Sequence, residues 1–137
     1  MQNLFHPELS IRDVGAVSAL GLAHVGDAVY EILVRTTLVT HGLTTSAHLH
    51  RDTTALVCAP AQAKAAELLL PHLTEEEQGY YRRGRNAGVH NIPKNATHAQ
   101  YSKATGLESL FGALYLLGRQ DRIAELFSLI MEEYHAA

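Results

Sequence analysis

The chain has 137 residues, 47% of them hydrophobic and 18% charged, with a formal net charge of −3. That balance excludes a disordered or low-complexity chain and fits one domain, residues 1–137, able to bury a core without staples. A single cysteine, Cys58, excludes an intrachain disulfide, and no run approaches the roughly 18 apolar residues of a membrane span.

From about Ser18 to His41, Leu22, Val25, Val29, Ile32, Thr36 and Val39 recur at steps of three and four, the core-facing stripe of a helix. Gly42 is its stop. On the adjoining face His24, Asp27, Glu31 and Arg35 form a polar seam. Thr44, Thr45 and Ser46 offer N-caps for a second helix to about Cys58, and Pro60 begins a third, Ala61 to Leu70. Thr74-Glu75-Glu76-Glu77 reads as a capping box that opens a fourth helix, ending near Ala87-Gly88. A loop follows from Val89 to about Ala96, marked by Asn91, Pro93 and Asn95. A fifth helix runs from about Thr97 to Leu117, with Leu107, Leu110, Phe111, Leu114 and Leu117 facing the core and Gly118 as stop. Beside that stripe Tyr101, Thr105, Glu108, Gly112 and Tyr115 form a second seam. Asp121 can cap a last amphipathic helix through Ile123, Leu126, Phe127 and Ile130. No segment alternates with period two for long, so the expected fold is an all-α helical bundle.

Asp27 and Glu108 each stand on a stretch that is otherwise apolar, where an ionised carboxylate is costly unless cations or donors compensate it. Gly26 adjoins Asp27, and Gly112 lies one turn beyond Glu108. A glycine inside a helix costs about 1 kcal/mol relative to alanine, which makes sense where two helices cross closely. Such a crossing would set the two carboxylates face to face, an arrangement that repels unless Mg²⁺ or Mn²⁺ lies between them. Taken singly, Asp27 is equally a hydrogen-bonded buried residue and Glu108 an ordinary surface glutamate.

Charge is unevenly spread. The 30 residues between Glu77 and Glu108 hold no acid but contain Arg82, Arg83, Arg85, Lys94 and Lys103, so the segment is +5 and the remainder −8. A cationic strip on an acidic body suits a polyanion, while a merely solvated loop is the plain alternative. Tyr101 and Tyr115 read as core or dimer-contact residues, and Cys58 as a small core residue. His48 and His50 point to different helix faces, against a zinc pair.

Gly26-Asp27-Ala28-Val29 in a hydrophobic helix resembles the signature helix of the ribonuclease III catalytic domain. Glu108-Ser109-Leu110-Phe111-Gly112-Ala113-Leu114-Tyr115 resembles its second acidic motif. The likeness to one branch, the Mini-ribonuclease III proteins, spans almost the whole chain. It is carried also by Tyr30-Glu31, Ala61-Gln62-Ala63, Thr74-Glu75-Glu76-Glu77, Arg82-Arg83-Gly84-Arg85-Asn86-Ala87 and Pro93-Lys94-Asn95. Two acidic positions of full-length ribonuclease III are absent, being Ala23 and Thr105 here, as in Mini-ribonuclease III. The length leaves no room for a separate double-stranded-RNA-binding domain.

The resemblance implies a dimeric, helical endonuclease that hydrolyses double-stranded RNA, leaving 5′-phosphate and 3′-hydroxyl ends. It implies Mg²⁺, with Mn²⁺ as a substitute, held by Asp27 and Glu108 as the catalytic ligands, with water and RNA phosphates completing the shell. The implied substrate is the large-subunit (23S) ribosomal RNA precursor. Arg82, Arg83, Arg85, Asn86, Lys94 and Asn95 would meet the duplex. His24 and Glu31 would support the site from behind the ligands; otherwise His24 is a seam histidine and Glu31 pairs with Arg35. A cytoplasmic location and no membrane partner are expected, since Met1 to Glu8 lacks the features of a signal peptide. The competing readings are a catalytically silent RNA- or ribosome-binding protein of the same fold and a helical nucleotide phosphohydrolase.

Overall fold

The computed structural model describes residues 3–42, 45–88, 92 and 94–136. Among them the chain forms seven α-helices and one 3-10 turn, with no strand. No described helix is long and apolar enough to cross a membrane.

A short helix not anticipated above, α1 (Ile11–Gly15), starts where the Ser10 hydroxyl accepts from the Asp13 amide at 3.1 Å. In α2 (Ala19–Thr40) the Ser18 hydroxyl caps the Gly21 amide at 3.0 Å, and Gly42 ends the segment at φ +92°. The next helices are α3 (Ser46–Val57) and α4 (Ala59–Leu69). Only Cys58 parts them, its extended backbone ending one and opening the other. Thr45 is the N-cap of α3 without a side-chain bond, and Thr44 lies outside the described residues. A 3-10 turn, Leu70–His72, leads to α5 (Glu75–Arg85). The capping box is formed there: the Thr74 hydroxyl accepts from the Glu77 amide at 3.2 Å, and Glu77 Oε1 from the Thr74 amide at 2.9 Å. The same device from Thr97 and Gln100 opens α6 (His98–Leu116). The last helix, α7 (Gln120–Ala136), begins one residue before Asp121. Asp121 is therefore not its cap but a first-turn acid, favourably placed against the helix dipole. Of the expected loop, residues 89–91 and 93 lie outside the described residues, among them the markers Asn91 and Pro93.

The bundle is organised around α6, which packs most extensively on α2, then on α5 and α4. Its Leu107, Leu110, Phe111 and Leu114 are sealed from solvent, each burial contributing roughly 1.5–3 kcal/mol. Tyr30 of α2 stands edge-on to Phe111 and to Phe127 of α7, at centroid distances of 5.4 and 5.7 Å. The core face of α2 differs from the expected stripe. Leu22 and Val29 are inside as expected, but Gly26, Tyr30 and Val34 complete the face, while Ile32 and Val39 are 60% and 57% exposed. The cause is the contact of Gly26 with α6, which turns α2 so that its glycine, rather than Ile32, meets the central helix.

A carboxylate clamp ties α5 to α7. Arg122 donates to both oxygens of buried Glu77, at 2.8 and 2.9 Å, and to the His72 carbonyl at 2.7 Å. Burial alone would raise the Glu77 carboxyl, but the Arg122 and Thr74 hydrogen bonds and the Arg122 charge hold it below its ordinary value.

Candidate active site

At the α2–α6 crossing the two backbones touch. A Cβ on Gly112 would sit 1.9 Å from the Leu22 carbonyl oxygen, a distance no side chain survives. On the other helix, a Cβ on Gly26 would meet the Glu108 carbonyl oxygen. With no side chains to hold the helices apart, Asp27 and Glu108 come within hydrogen-bonding reach of one another. Both open onto a cleft of about 560 Å³ between α2, α4 and α6. Ser109, buried beside Glu108, donates to the Ala19 carbonyl at 2.8 Å and pins the start of α2 to this part of α6.

The burial expected of both acids holds for one. Glu108 is half-buried; Asp27 is exposed on the cleft wall, because Gly26 rather than its neighbour faces α6. Desolvation therefore falls on Glu108. Its carboxyl is pushed up to about 9 by burial first, then by the hydrogen bond to Asp27 and by the Asp27 charge. At neutral pH, without a cation, the pair keeps one proton. Such a pair of hard oxygen donors fits a divalent ion, whose charge would displace that proton. Among the described residues no set of three or more His, Cys, Asp or Glu side chains gathers into a metal site. A divalent ion at this pair would draw its remaining ligands from water and substrate oxygens, as Mg²⁺ does.

His24 and Asn95 line the same cleft; Glu31 does not, and its carboxylate takes the Arg35 guanidinium at 3.2 Å. Thr105, where the resemblance lacks an acid, is on the wall, but its hydroxyl donates back to the Tyr101 carbonyl at 3.0 Å. Tyr101 is half-buried on the wall, whereas Tyr115 sits at the far end of α6 and donates to the Leu4 carbonyl.

The cationic strip divides. Arg83 is half-buried and donates to the Val17 carbonyl at 2.7 Å, and Lys103 is paired with Glu67. Arg82, Arg85, Asn86 and Lys94 are exposed, with the Arg85 guanidinium 5.8 Å from the Tyr81 ring centroid. Of the six residues expected to meet RNA, only Asn95 shares the cleft with the carboxylates.

Two cleft residues had no such role in the sequence reading. Cys58 is half-buried on the wall rather than in the core, placed there by the break between α3 and α4. Gln62, from α4, is buried yet lines the cleft. Its signal was available: a polar residue on an alanine-rich face that must pack inward.

Residues 20–119 match the family model of the ribonuclease III domain. The chain is 46% identical over 120 residues to the Mini-ribonuclease 3 of Enterococcus faecalis, covering 86% of this chain and 91% of that one. It is 47% identical over 107 residues to that of Symbiobacterium thermophilum, covering 78% and 82%. A crystal structure of a Fusobacterium nucleatum protein superposes with a TM-score of 0.81 at 28% identity, covering 89% of this chain and 98% of that chain. The helices, the glycine crossing and these matches agree: the chain belongs to the ribonuclease III family of endoribonucleases, within its Mini-ribonuclease 3 group.

Proposed function

We propose that this chain, acting as one catalytic domain, is a divalent-metal-dependent endonuclease of double-stranded RNA. It hydrolyses the bond between phosphorus and the 3′-oxygen, leaving 5′-phosphate and 3′-hydroxyl ends, and its cytoplasmic substrate is the 23S ribosomal RNA precursor. The observation that carries the reading is the pairing of Asp27 and Glu108 on one open cleft in a chain of this family.

Asp27 and Glu108 would hold Mg²⁺, or Mn²⁺ in its place. When bound, such an ion polarises a phosphoryl oxygen and lowers the pKa of water. Asp27 is the more exposed of the two on the cleft wall, and Glu108 the more buried. His24, one turn before Asp27, lines the same cleft and would meet a substrate phosphate or an ordered water there. Arg82, Arg85 and Lys94 offer exposed positive charge for the phosphates of an A-form duplex, which is read mainly by shape and backbone.

The test is cleavage of a duplex RNA by wild type, Asp27→Asn and Glu108→Gln, with Mg²⁺ and then Mn²⁺, alongside binding at fixed salt. Both variants should lose several orders of magnitude in cleavage while still binding RNA. Either variant cutting at near wild-type rate in Mg²⁺ removes that residue from the site. A wild type that only binds the duplex makes the chain a binding protein.

A further inference from the structure

Gln62 is 2% accessible to solvent. Neither atom of its carboxamide forms a hydrogen bond among the described residues, and among those residues no unpartnered side-chain polar atom is sealed from solvent. Gln62 lines the cleft that also holds Asp27 and Glu108. Buried amides are almost always paired, so a buried carboxamide on a cleft wall, with no partner among the described residues, is placed to take one from a ligand. Its stem is enclosed by packing, so little freedom remains to be lost on binding.

The chemistry of the group narrows the ligand. A carboxamide presents a donor and an acceptor side by side. A phosphate would use only the donor half, and among the described residues no Arg or Lys lines this cleft to add a second contact to one. A ribose 2′-hydroxyl both donates and accepts, and A-form RNA displays these hydroxyls along its accessible minor groove. We propose that Gln62 is a specificity-determining residue, whose carboxamide exchanges hydrogen bonds with the 2′-hydroxyl of a nucleotide beside the scissile phosphate. The role presupposes the double-stranded-RNA cleavage given above. It makes the cut site itself, and not only the shape of the duplex, a place where RNA is told from DNA.

The test uses Mg²⁺-loaded enzyme on a short duplex RNA and on a set of duplexes carrying one 2′-deoxy nucleotide each, stepped through the positions around the cut. For wild type, one position should slow kcat/KM by roughly tenfold, the size of one lost hydrogen bond with a desolvated partner. Gln62→Met, close in length but without the amide, should slow cleavage of the all-RNA duplex by a similar factor. It should also be indifferent to the 2′-deoxy substitution at that one position, while keeping wild-type responses elsewhere. A structural role for Gln62 would leave the two effects multiplying, which overturns the inference. Should Gln62→Met fail to fold, the wild-type scan decides alone, because an enzyme indifferent to every single 2′-deoxy substitution does not read a 2′-hydroxyl. A wild type that leaves the all-RNA duplex intact overturns the cleavage reading itself, and this role with it.

Discussion

The carbonyl oxygen of Glu108 occupies the place where a side chain on residue 26 would begin: a Cβ on Gly26 would fall 1.6 Å from it. Helix α2 can approach α6 this closely only because position 26 has no side chain. Gly26→Ala must push the helices apart, since the atoms in the way are backbone, and should destabilise the fold by roughly 3 kcal/mol. The same displacement separates Asp27 from Glu108, so cleavage should fall with stability. Gly79→Ala is the control, a helical glycine whose added Cβ meets nothing within 4 Å, and it should stabilise by about 0.5–1 kcal/mol. Urea unfolding of both variants checks this, and a Gly26→Ala protein as stable as wild type would refute the crossing.

Proton linkage at Glu108 gives a second expectation. Its carboxyl is raised from 4.5 to about 9 in the folded, metal-free protein. Below about 4.5 it is protonated whether folded or not; between there and 9 only the unfolded chain releases the proton. This group therefore lowers stability progressively across that window, and the loss levels off above it. Glu108→Gln removes the effect, so in EDTA at pH 8 the variant should melt several degrees above wild type and at pH 4 close to it. Mg²⁺ should raise the melting temperature of wild type at pH 8 and leave that of the variant unmoved. A variant that melts at or below wild type in EDTA at pH 8 contradicts the assignment.

The arginines of α5 should separate by function. Replacing Arg82, Arg85 and Lys94 by alanine should weaken RNA binding and flatten its salt dependence by about 0.7–0.9 log units per lost contact. Stability should hardly change, because all three are exposed. Arg83→Ala should instead lower stability by about 1.5–3 kcal/mol, through loss of the charged hydrogen bond to the Val17 carbonyl. Filter binding across a salt series, set beside thermal melts, distinguishes the two. An unchanged salt slope in the triple variant would place the duplex elsewhere.

The outer face of α2 bears on the expected dimer. Ile32 and Val39 leave apolar surface on the outside of the helix that carries Asp27. A second copy related by a two-fold axis would cover it and offer two sites to the two strands of a duplex. Light scattering at micromolar concentration should give about twice the 15.0 kDa chain mass. Ile32→Glu or Val39→Glu should lower that mass, and a wild-type monomer that still cuts duplex RNA would end the idea.

The parts of the fold legible in the sequence are those decided locally. Thr74 to Glu77 carries its capping box in four adjacent residues, and Gly42, Gly88 and Gly118 all take the positive φ expected of chain stops. The crossing was legible too, because a glycine in a helix has few reasons to be there and two of them flanked two acids. What the sequence hid depends on neighbours distant in the chain. Ile32 and Val39 fit a core stripe by spacing alone, and only the rotation of α2 on Gly26 puts them outside. Arg83 is indistinguishable from Arg82 until Val17, 66 residues earlier, offers its carbonyl. Gln62 stood in plain view as one residue of a familiar run, but its place on the cleft is set by the packing of α4 against α6.

Gly88 ends the α5 segment at φ +88°, and the Thr97–Gln100 box starts α6 afresh. The helix that bears Glu108 thus owes its first turn to its own residues and nothing to the chain before Thr97. A change of length ahead of Thr97 therefore leaves the start of α6, and with it the seat of Glu108, specified by the same four residues.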